Sequence, residues 1–163
     1  MTILKATTWQ DKSGGVINAP IKFTQVIVPY SAASGGSATY YAPESAYTTG
    51  NTYRLYTFNY TPASASSYIM FSGFFDVDRS GTVGQERLCM FVNGTCISLS
   101  YMYPRNQGHE LQQHPLAGTY TNSSTSTVTF DLRCNAGWTM YTGGPDSNDM
   151  ATQSTLHIYE YQR

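Results

Sequence analysis

The sequence predicts an all-β domain, and three observations carry that expectation. Aromatic, β-branched and small polar residues dominate: 14 Tyr, 7 Phe and 14 Gly stand against only 12% charged residues, a balance suited to pleated strands and tight turns. Turn signals recur at spacings of roughly ten residues, the rhythm of a sandwich, jelly roll or barrel. No segment combines a helical apolar period with caps. At 163 residues the chain has the size of one domain, long enough to bury a core without disulfides or metals.

Residues 1–20 read as a lead-in or arm: a short strand-like start, a turn at Asp11-Lys12-Ser13-Gly14-Gly15, and Pro20 as a boundary before a domain spanning 21–163. Ile21 to Val28 is the first strand of that domain, closed by Pro29. A small-residue loop over 31–37 and a Tyr-rich stretch follow. The most telling run is 52–77, where two aromatic-rich strands, 53–60 and 67–77, flank a small-residue turn with almost no charge. On the second strand Ile69, Phe71, Gly73, Phe75 and Val77 share one face, and Met70, Ser72, Phe74 and Asp76 share the other. The first face is built for burial, and the second is apolar enough to meet something as well.

A polar loop is expected over 78–86. The strongest hairpin signal comes next, 87–92 and 95–101 around Asn93-Gly94, because Asn-Gly supplies the positive φ values of a type I′ turn. That register sets Cys96 opposite Phe91 and Cys89 opposite Ser98. Residues 104–116 read as a polar insertion, 118–120 as a short stretch of chain, and 121–126 as a Ser/Thr loop. Strands are expected at 127–134, 138–141 and 152–161, with a turn-rich loop at 143–148.

Net charge is -1, so no basic field exists to collect a phosphate backbone, and nucleic acid is not an expected partner. No run approaches the roughly 20 apolar residues of a membrane-spanning helix, and the first residues lack a signal-peptide core, which predicts synthesis in a cytoplasm without membrane insertion. Three cysteines, an odd number, fit a reduced chain better than a disulfide framework, with Cys134 on the Val128, Phe130, Leu132 face.

Chemistry-bearing groups are sparse. Asp76-Val77-Asp78-Arg79-Ser80-Gly81 matches the first half of a calcium loop, but its twelfth position is Arg87 rather than Glu, leaving at most a weak site from Asp76, Asp78 and Glu86. His109 and His114 fall in the expected insertion near Glu110, and His157 lies far along the chain, too scattered for zinc. No Ser or Cys sits on a nucleophile elbow. The carboxylates Asp76, Asp78, Glu86, Glu110 and Asp131 lack an apolar wall to raise one pKa for glycoside hydrolysis. No enzyme and no cofactor is therefore expected. Aromatic and amide side chains do crowd Tyr101, Tyr103, Arg105, Asn106, Gln107 and His109, and again Trp138, Tyr141, Asp146, Asn148 and Asp149. Rigid rings with adaptable amides suit sugar or protein recognition, so Tyr101, Tyr103, Arg105, Asn106, Gln107, His109 and Tyr141 are the expected ligand-contact residues.

Several runs together resemble the jelly-roll knobs of bacteriophage tail fibres and related virion appendages. Ile3-Leu4-Lys5 with Thr7-Thr8-Trp9-Gln10-Asp11-Lys12-Ser13-Gly14-Gly15 looks like the opening common in phage fibre proteins. The run from Phe58 to Ile69, the hairpin from Leu88 to Ile97, and the end from Gln153 to Tyr161 are similar to three later elements, in the same order. Ala63 stands where the family often has Lys, and Tyr161 where it often has Ile, so no ligand preference carries over. The resemblance implies a tumour-necrosis-factor-like jelly-roll β-sandwich, a homotrimer, location on a tailed-phage virion, and attachment to a host-surface glycan or protein. A capsid decoration protein, using residues 1–20 against other virion proteins, and a non-viral lectin-like module are the alternatives. Exposed apolar surface argues separately for an oligomer, with Phe58, Tyr60, Met70 and Phe74 as interface candidates.

Overall fold

A computed structural model describes residues 9–10, 16–17, 20–29, 31–33, 46–80, 86–102, 112–135, 139–142 and 154–162. Among these the chain is nearly all strand, with no α-helix. The strands are β1 (Trp9–Gln10), β2 (Val16–Ile17), β3 (Lys22–Ile27), β4 (Ser31–Ala33), β5 (Tyr53–Tyr60), β6 (Ser67–Ser80), β7 (Glu86–Val92), β8 (Thr95–Met102), β9 (Gln112–Asn122), β10 (Val128–Cys134), β11 (Thr139–Thr142) and β12 (Thr155–Gln162). The alternation expected along β6 is present: Ile69, Phe71 and Phe75 are fully buried, whereas Met70 and Phe74 are exposed.

Two antiparallel sheets face each other as a sandwich. One runs β5-β10-β7-β8; the other has β3-β12-β6 as its spine, with β9 on the free edge of β6. Val77 pairs with both Gln112 of β9 and Thr142 of β11, so β11 lies on the edge of β6 opposite β9, continuing the line of β12, with β4 beyond it. β1 and β2 form a two-stranded ribbon that belongs to neither sheet. The core lies between the sheets, where Phe71 meets Phe130 edge-to-face at 5.9 Å between centroids and Phe58 stacks on Phe130 at 5.0 Å. Each such ring, removed from water, contributes on the order of 1.5–3 kcal/mol.

Three segments expected as loops need correction. The expected loop at 78–86 begins later, because β6 continues to Ser80. Residues 112–116, expected in a polar insertion, belong to β9, an eleven-residue strand. Pro115 and the amides beside it mimic a loop in sequence, but β9 is an edge strand whose outward row tolerates both: Gln113 and Pro115 face solvent while His114 and Leu116 are buried. Residues 31–33, expected in a loop, form β4.

The hairpin expectation holds at its turn, with Asn93 at φ 48° and Gly94 at φ 83°. Cys96 does pair with Phe91, but Cys89 pairs with Leu99, not Ser98, because Ile97 is an extra residue in β8. This bulge lets Ile97 and Ser98 both turn toward β9 and the core, where the Ser98 hydroxyl donates to the Ala117 carbonyl at 2.9 Å. Gly118 of β9 lies where a Cβ would stand 2.7 Å from the Phe71 ring, so only glycine lets β9 close over that side chain.

Candidate functional site

The two sheets treat their outer faces differently, and this asymmetry locates the candidate site. Over the β5-β10-β7-β8 sheet the chain covers itself. Tyr47 packs with Cys89, Phe91, Cys96 and Leu99. The Arg133 Nε donates to Thr52 Oγ1 at 2.8 Å, and its Nη2 donates to the carbonyls of Thr49 and Thr52 at 2.9 and 2.6 Å, tying down the 48–52 turn. Asp131 beneath it pairs with Arg54 at 3.0 Å and Arg133 at 3.8 Å. Burial lowers the Arg133 pKa from its ordinary value, and the Asp131 charge beside it opposes that shift. The buried charges on this face, Asp131 and Arg133, are thus matched by the chain itself, Asp131 also by the exposed Arg54.

Among the described residues, none covers the outer face of β3-β12-β6-β9. Register aligns its outward residues in rows: Phe23, Tyr159, Met70 and Thr119; then Gln25, His157, Ser72 and Ala117; then Ile27, Thr155, Phe74 and Pro115. Tyr161, Tyr68 and Thr121 extend the array at one end, beside Ile21, whose amide donates to the Glu160 carbonyl. None of these residues is Asp, Glu, Lys or Arg. Phe23, Ile27 and Phe74 are each more than half exposed, at 53%, 54% and 56%. The Phe23 ring lies 5.1 Å from Tyr159 and 5.8 Å from His157. With strands ~4.8 Å apart and same-face residues ~6.8 Å apart, four strands of four residues span about 500 Å². Gln25, Ser72, Thr119, Thr121, Thr155 and His157 are polar, so the apolar part is smaller than this, and the whole face lies below the roughly 800 Å² per partner of a standard interface.

Of the expected interface residues, only Met70 and Phe74 lie on this face. Phe58 and Tyr60 sit on β5 in the other sheet: Phe58 is half-buried against Phe130, and Tyr60 is buried with its hydroxyl donating to Glu160 at 2.8 Å. The four therefore do not make one surface. Phe23, Ile27 and Tyr159 join the site instead, and their signal in sequence is an uncharged outward register repeated on β3, β6 and β12.

Of the expected ligand-contact residues, Tyr101 is exposed, and its ring lies 4.0 Å from the guanidinium carbon of the buried Arg87. Tyr103, Arg105, Asn106, Gln107 and His109 lie outside the described residues, as do Glu110, Trp138, Asp146, Asn148 and Asp149. Tyr141 pairs with Ala32 and Asp78 in the backbone register, and its side chain is outside the described set. For the weak metal site, Asp76 and Asp78 lie within β6 and Glu86 on β7 of the opposite sheet. Asp76 is buried, accepting from Gln113 Nε2 at 3.3 Å; the side chains of Asp78 and Glu86 are outside the described set. Among the described residues no three His, Cys, Asp or Glu side chains cluster as a metal site, and no helix is long and apolar enough to cross a membrane.

His114, expected in an exposed loop, is instead buried in β9. Its Nδ1 lies 3.1 Å from the Ser100 hydroxyl, its Nε2 finds no partner among the described residues, and burial lowers its pKa. His157 faces outward on β12, so the two histidines do not converge. Glu160 is the buried acid that sequence reading passed over. It accepts from Tyr60 Oη at 2.8 Å, Ala63 N at 2.8 Å, Ser64 N at 3.0 Å and Ser67 Oγ at 2.8 Å. Burial alone would raise its pKa, but these donors outweigh burial and hold it below the usual value. Its role is to pin the 61–66 turn against the last strand. The three cysteines are free and buried. No known family model matches the chain, and no curated protein matches it in sequence.

Proposed function

We propose that this chain is a jelly-roll protein that assembles as a homotrimer and serves as a structural or adhesive component on the surface of a tailed bacteriophage, at a fibre or appendage tip that contacts the host. The observation that carries the reading is the uncharged, aromatic outer face of β3-β12-β6-β9, which no other described residue covers and on which Phe23, Ile27 and Phe74 are exposed. At about 500 Å² it falls short of a standard interface by itself. A ring of subunits, in which every chain uses two surfaces, makes up the difference.

Strand pairing supports the jelly-roll reading. Numbered in order, β3, β5, β6, β7, β8, β9, β10 and β12 pair first with last, second with seventh, third with sixth, and fourth with fifth. The β3·β12 link closes one sheet through β12·β6, and the β5·β10 link closes the other through β10·β7. Such nesting is what one long antiparallel ribbon makes when it rolls into two Greek keys. The resemblance of the opening, middle and closing runs to phage fibre knobs adds the virion assignment, with binding rather than catalysis as the work and a host-surface glycan or protein as the partner.

A second reading, a decoration protein reinforcing a capsid lattice, draws on β1 and β2, whose ribbon stands outside both sheets and suits an arm engaging other virion proteins. Light scattering on the purified chain tests the shared part of both readings: a stable trimer is expected, and a monomer at micromolar concentration overturns it. Removing residues 1–20 then separates them. A fibre tip keeps its trimer and its host-cell binding, whereas a decoration protein keeps its trimer and loses capsid binding.

A further inference from the structure

The tip of the β7–β8 hairpin holds a side chain that does more than shape the turn. Asn93 is exposed, and three hydrogen bonds fasten it. Its backbone N–H donates to the Thr129 carbonyl at 2.9 Å, and its Oδ1 accepts from the Thr129 N–H at 2.9 Å, which continues the β7·β10 ladder one residue past Val92. Its Nδ2 donates to the Tyr120 hydroxyl at 3.2 Å. Tyr120 stands on β9, so this one amide clasps the hairpin both to its own sheet and to the sheet that faces it. The next residue is Gly94, at which an added Cβ would meet nothing within 4 Å. No other Asn in the chain precedes a glycine.

We propose that Asn93 is a modification site gated by this clasp: it is protected while the hairpin is closed and, once the hairpin opens, converts without an enzyme to aspartate and isoaspartate. In the open chain the Gly94 nitrogen attacks Asn93 Cγ. The Cγ–Nδ2 bond breaks, and Nδ2 leaves as ammonia, carrying the Gly94 amide proton. Water then adds to either carbonyl of the resulting succinimide and breaks one of its two C–N bonds. Cleavage at Cγ leaves aspartate, and cleavage at the backbone carbonyl carbon leaves isoaspartate, whose main chain runs through Cβ. Solvent water is the sole co-reactant, and nothing is oxidised or reduced.

The closed turn prevents the first step by geometry. Ring closure needs Asn93 Cβ and the Gly94 nitrogen eclipsed about the Cα–C bond. A type I′ turn has positive φ at both central residues, as Asn93 and Gly94 do, and carries ψ of about +30° at the first of them. That value sets Cβ and the following nitrogen on nearly opposite sides of the bond. Reaction therefore requires the turn to be abandoned, and both side-chain bonds with it, which makes the rate follow local opening of the hairpin. Gly94 acts twice: it supplies the positive φ of the closed turn, and without a side chain it leaves its nitrogen unhindered in the open one. The aspartate product lacks the donor to Tyr120, and isoaspartate adds a backbone carbon to a two-residue turn, so neither restores the original clasp.

The test incubates the full chain at mildly alkaline pH, in native buffer and in urea above its unfolding midpoint, quenches samples in acid at intervals, and digests them with trypsin. Cleavage after Arg87 and Arg105 gives peptide 88–105, in which Asn93 holds the sole side-chain amide, so a mass change from amide to carboxyl reports this residue alone. The unfolded chain is expected to accumulate two heavier products, aspartate and isoaspartate, separable by chromatography. The native chain is expected to form them at least roughly ten-fold more slowly, in proportion to the fraction of open hairpin. Tyr120→Phe keeps the ring but removes the acceptor on β9; it should speed the native reaction several-fold and leave the rate in urea unchanged. Equal rates in the two solvents, or no product in urea, would overturn the proposal. An unchanged native rate in Tyr120→Phe would overturn the clasp to β9. The comparison of solvents decides the gating without any variant.

Discussion

Glu160 shows how one residue can hold a turn by breaking a pattern. β12 alternates Leu156 and Ile158 inward, and Glu160 continues that inward phase where an apolar side chain would be expected. It is tolerated because four donors from Tyr60, Ala63, Ser64 and Ser67 replace its water. Glu160→Gln keeps the volume but loses the charge those donors face, and should cost about 2 kcal/mol in urea unfolding; an unchanged midpoint would refute this role. The folded-state pKa of Glu160 lies below its unfolded value, so its stabilisation is complete above about pH 4.5 and is lost as pH falls through the folded pKa. His114 adds a second slope at higher pH. Its folded pKa is also lowered, so the unfolded chain takes up a proton first. Stability should begin to fall as pH drops below about 6.5. Melting temperature from pH 7.5 to 5 should show that decline in the wild-type chain and a flatter curve in His114→Asn. Parallel curves would assign the slope elsewhere.

At the scale of elements, the contact between β6 and β9 depends on one missing side chain. Gly118 sits over the Phe71 ring at a distance no Cβ occupies. Gly118→Ala should therefore destabilise by roughly 1–3 kcal/mol through overpacking, whereas Ala117→Ser on the exposed face of the same strand should stay within about 0.5 kcal/mol. Equal effects would mean that β9 shifts freely over Phe71. Sequence reading recognised β3, β5, β6, β7, β8, β10, β11 and β12 because each alternates visibly or is bounded by a turn signal. It took the start of β9 for an insertion because Gln112, Gln113 and Pro115 are residues of loops. Their place in a strand depends on a partner, β6, nearly forty residues earlier. The β8 bulge was hidden for a similar reason, since Ile97 is absorbed only because Ser98 reaches the Ala117 carbonyl of another sheet.

For the whole molecule, the contrast between a self-covered face and a bare one makes a prediction about assembly. Phe74→Glu places a charge in the uncharged array, at the most exposed aromatic ring of its end row. It should reduce the assembled mass to that of one chain while leaving the melting temperature of the isolated sandwich nearly unchanged, because Phe74 contributes little to the core. Thr57→Glu, exposed on the other sheet, should leave the mass as it was. If both variants behave alike by light scattering, the bare face is not where the chains meet. Of the expected contact surface, sequence reading found Met70 and Phe74 by their alternation but grouped them with Phe58 and Tyr60, which local aromatic density resembles and tertiary packing separates.

The sequence by itself determined that this chain is made of strands, where its Asn93-Gly94 turn falls, and which side of β6 is buried. Those features follow from local chemistry: side-chain alternation with a period of two, the positive φ of one turn, and the poor helix-forming character of the residues between. Only the tertiary structure decided which outward faces stay bare. That outcome depends on which strands become neighbours and which loop folds back over a sheet, and such long-range choices leave no local mark. The 48–52 turn covers one sheet because Arg133, some eighty residues away, holds it there, and among the described residues no comparable anchor draws a segment across the other.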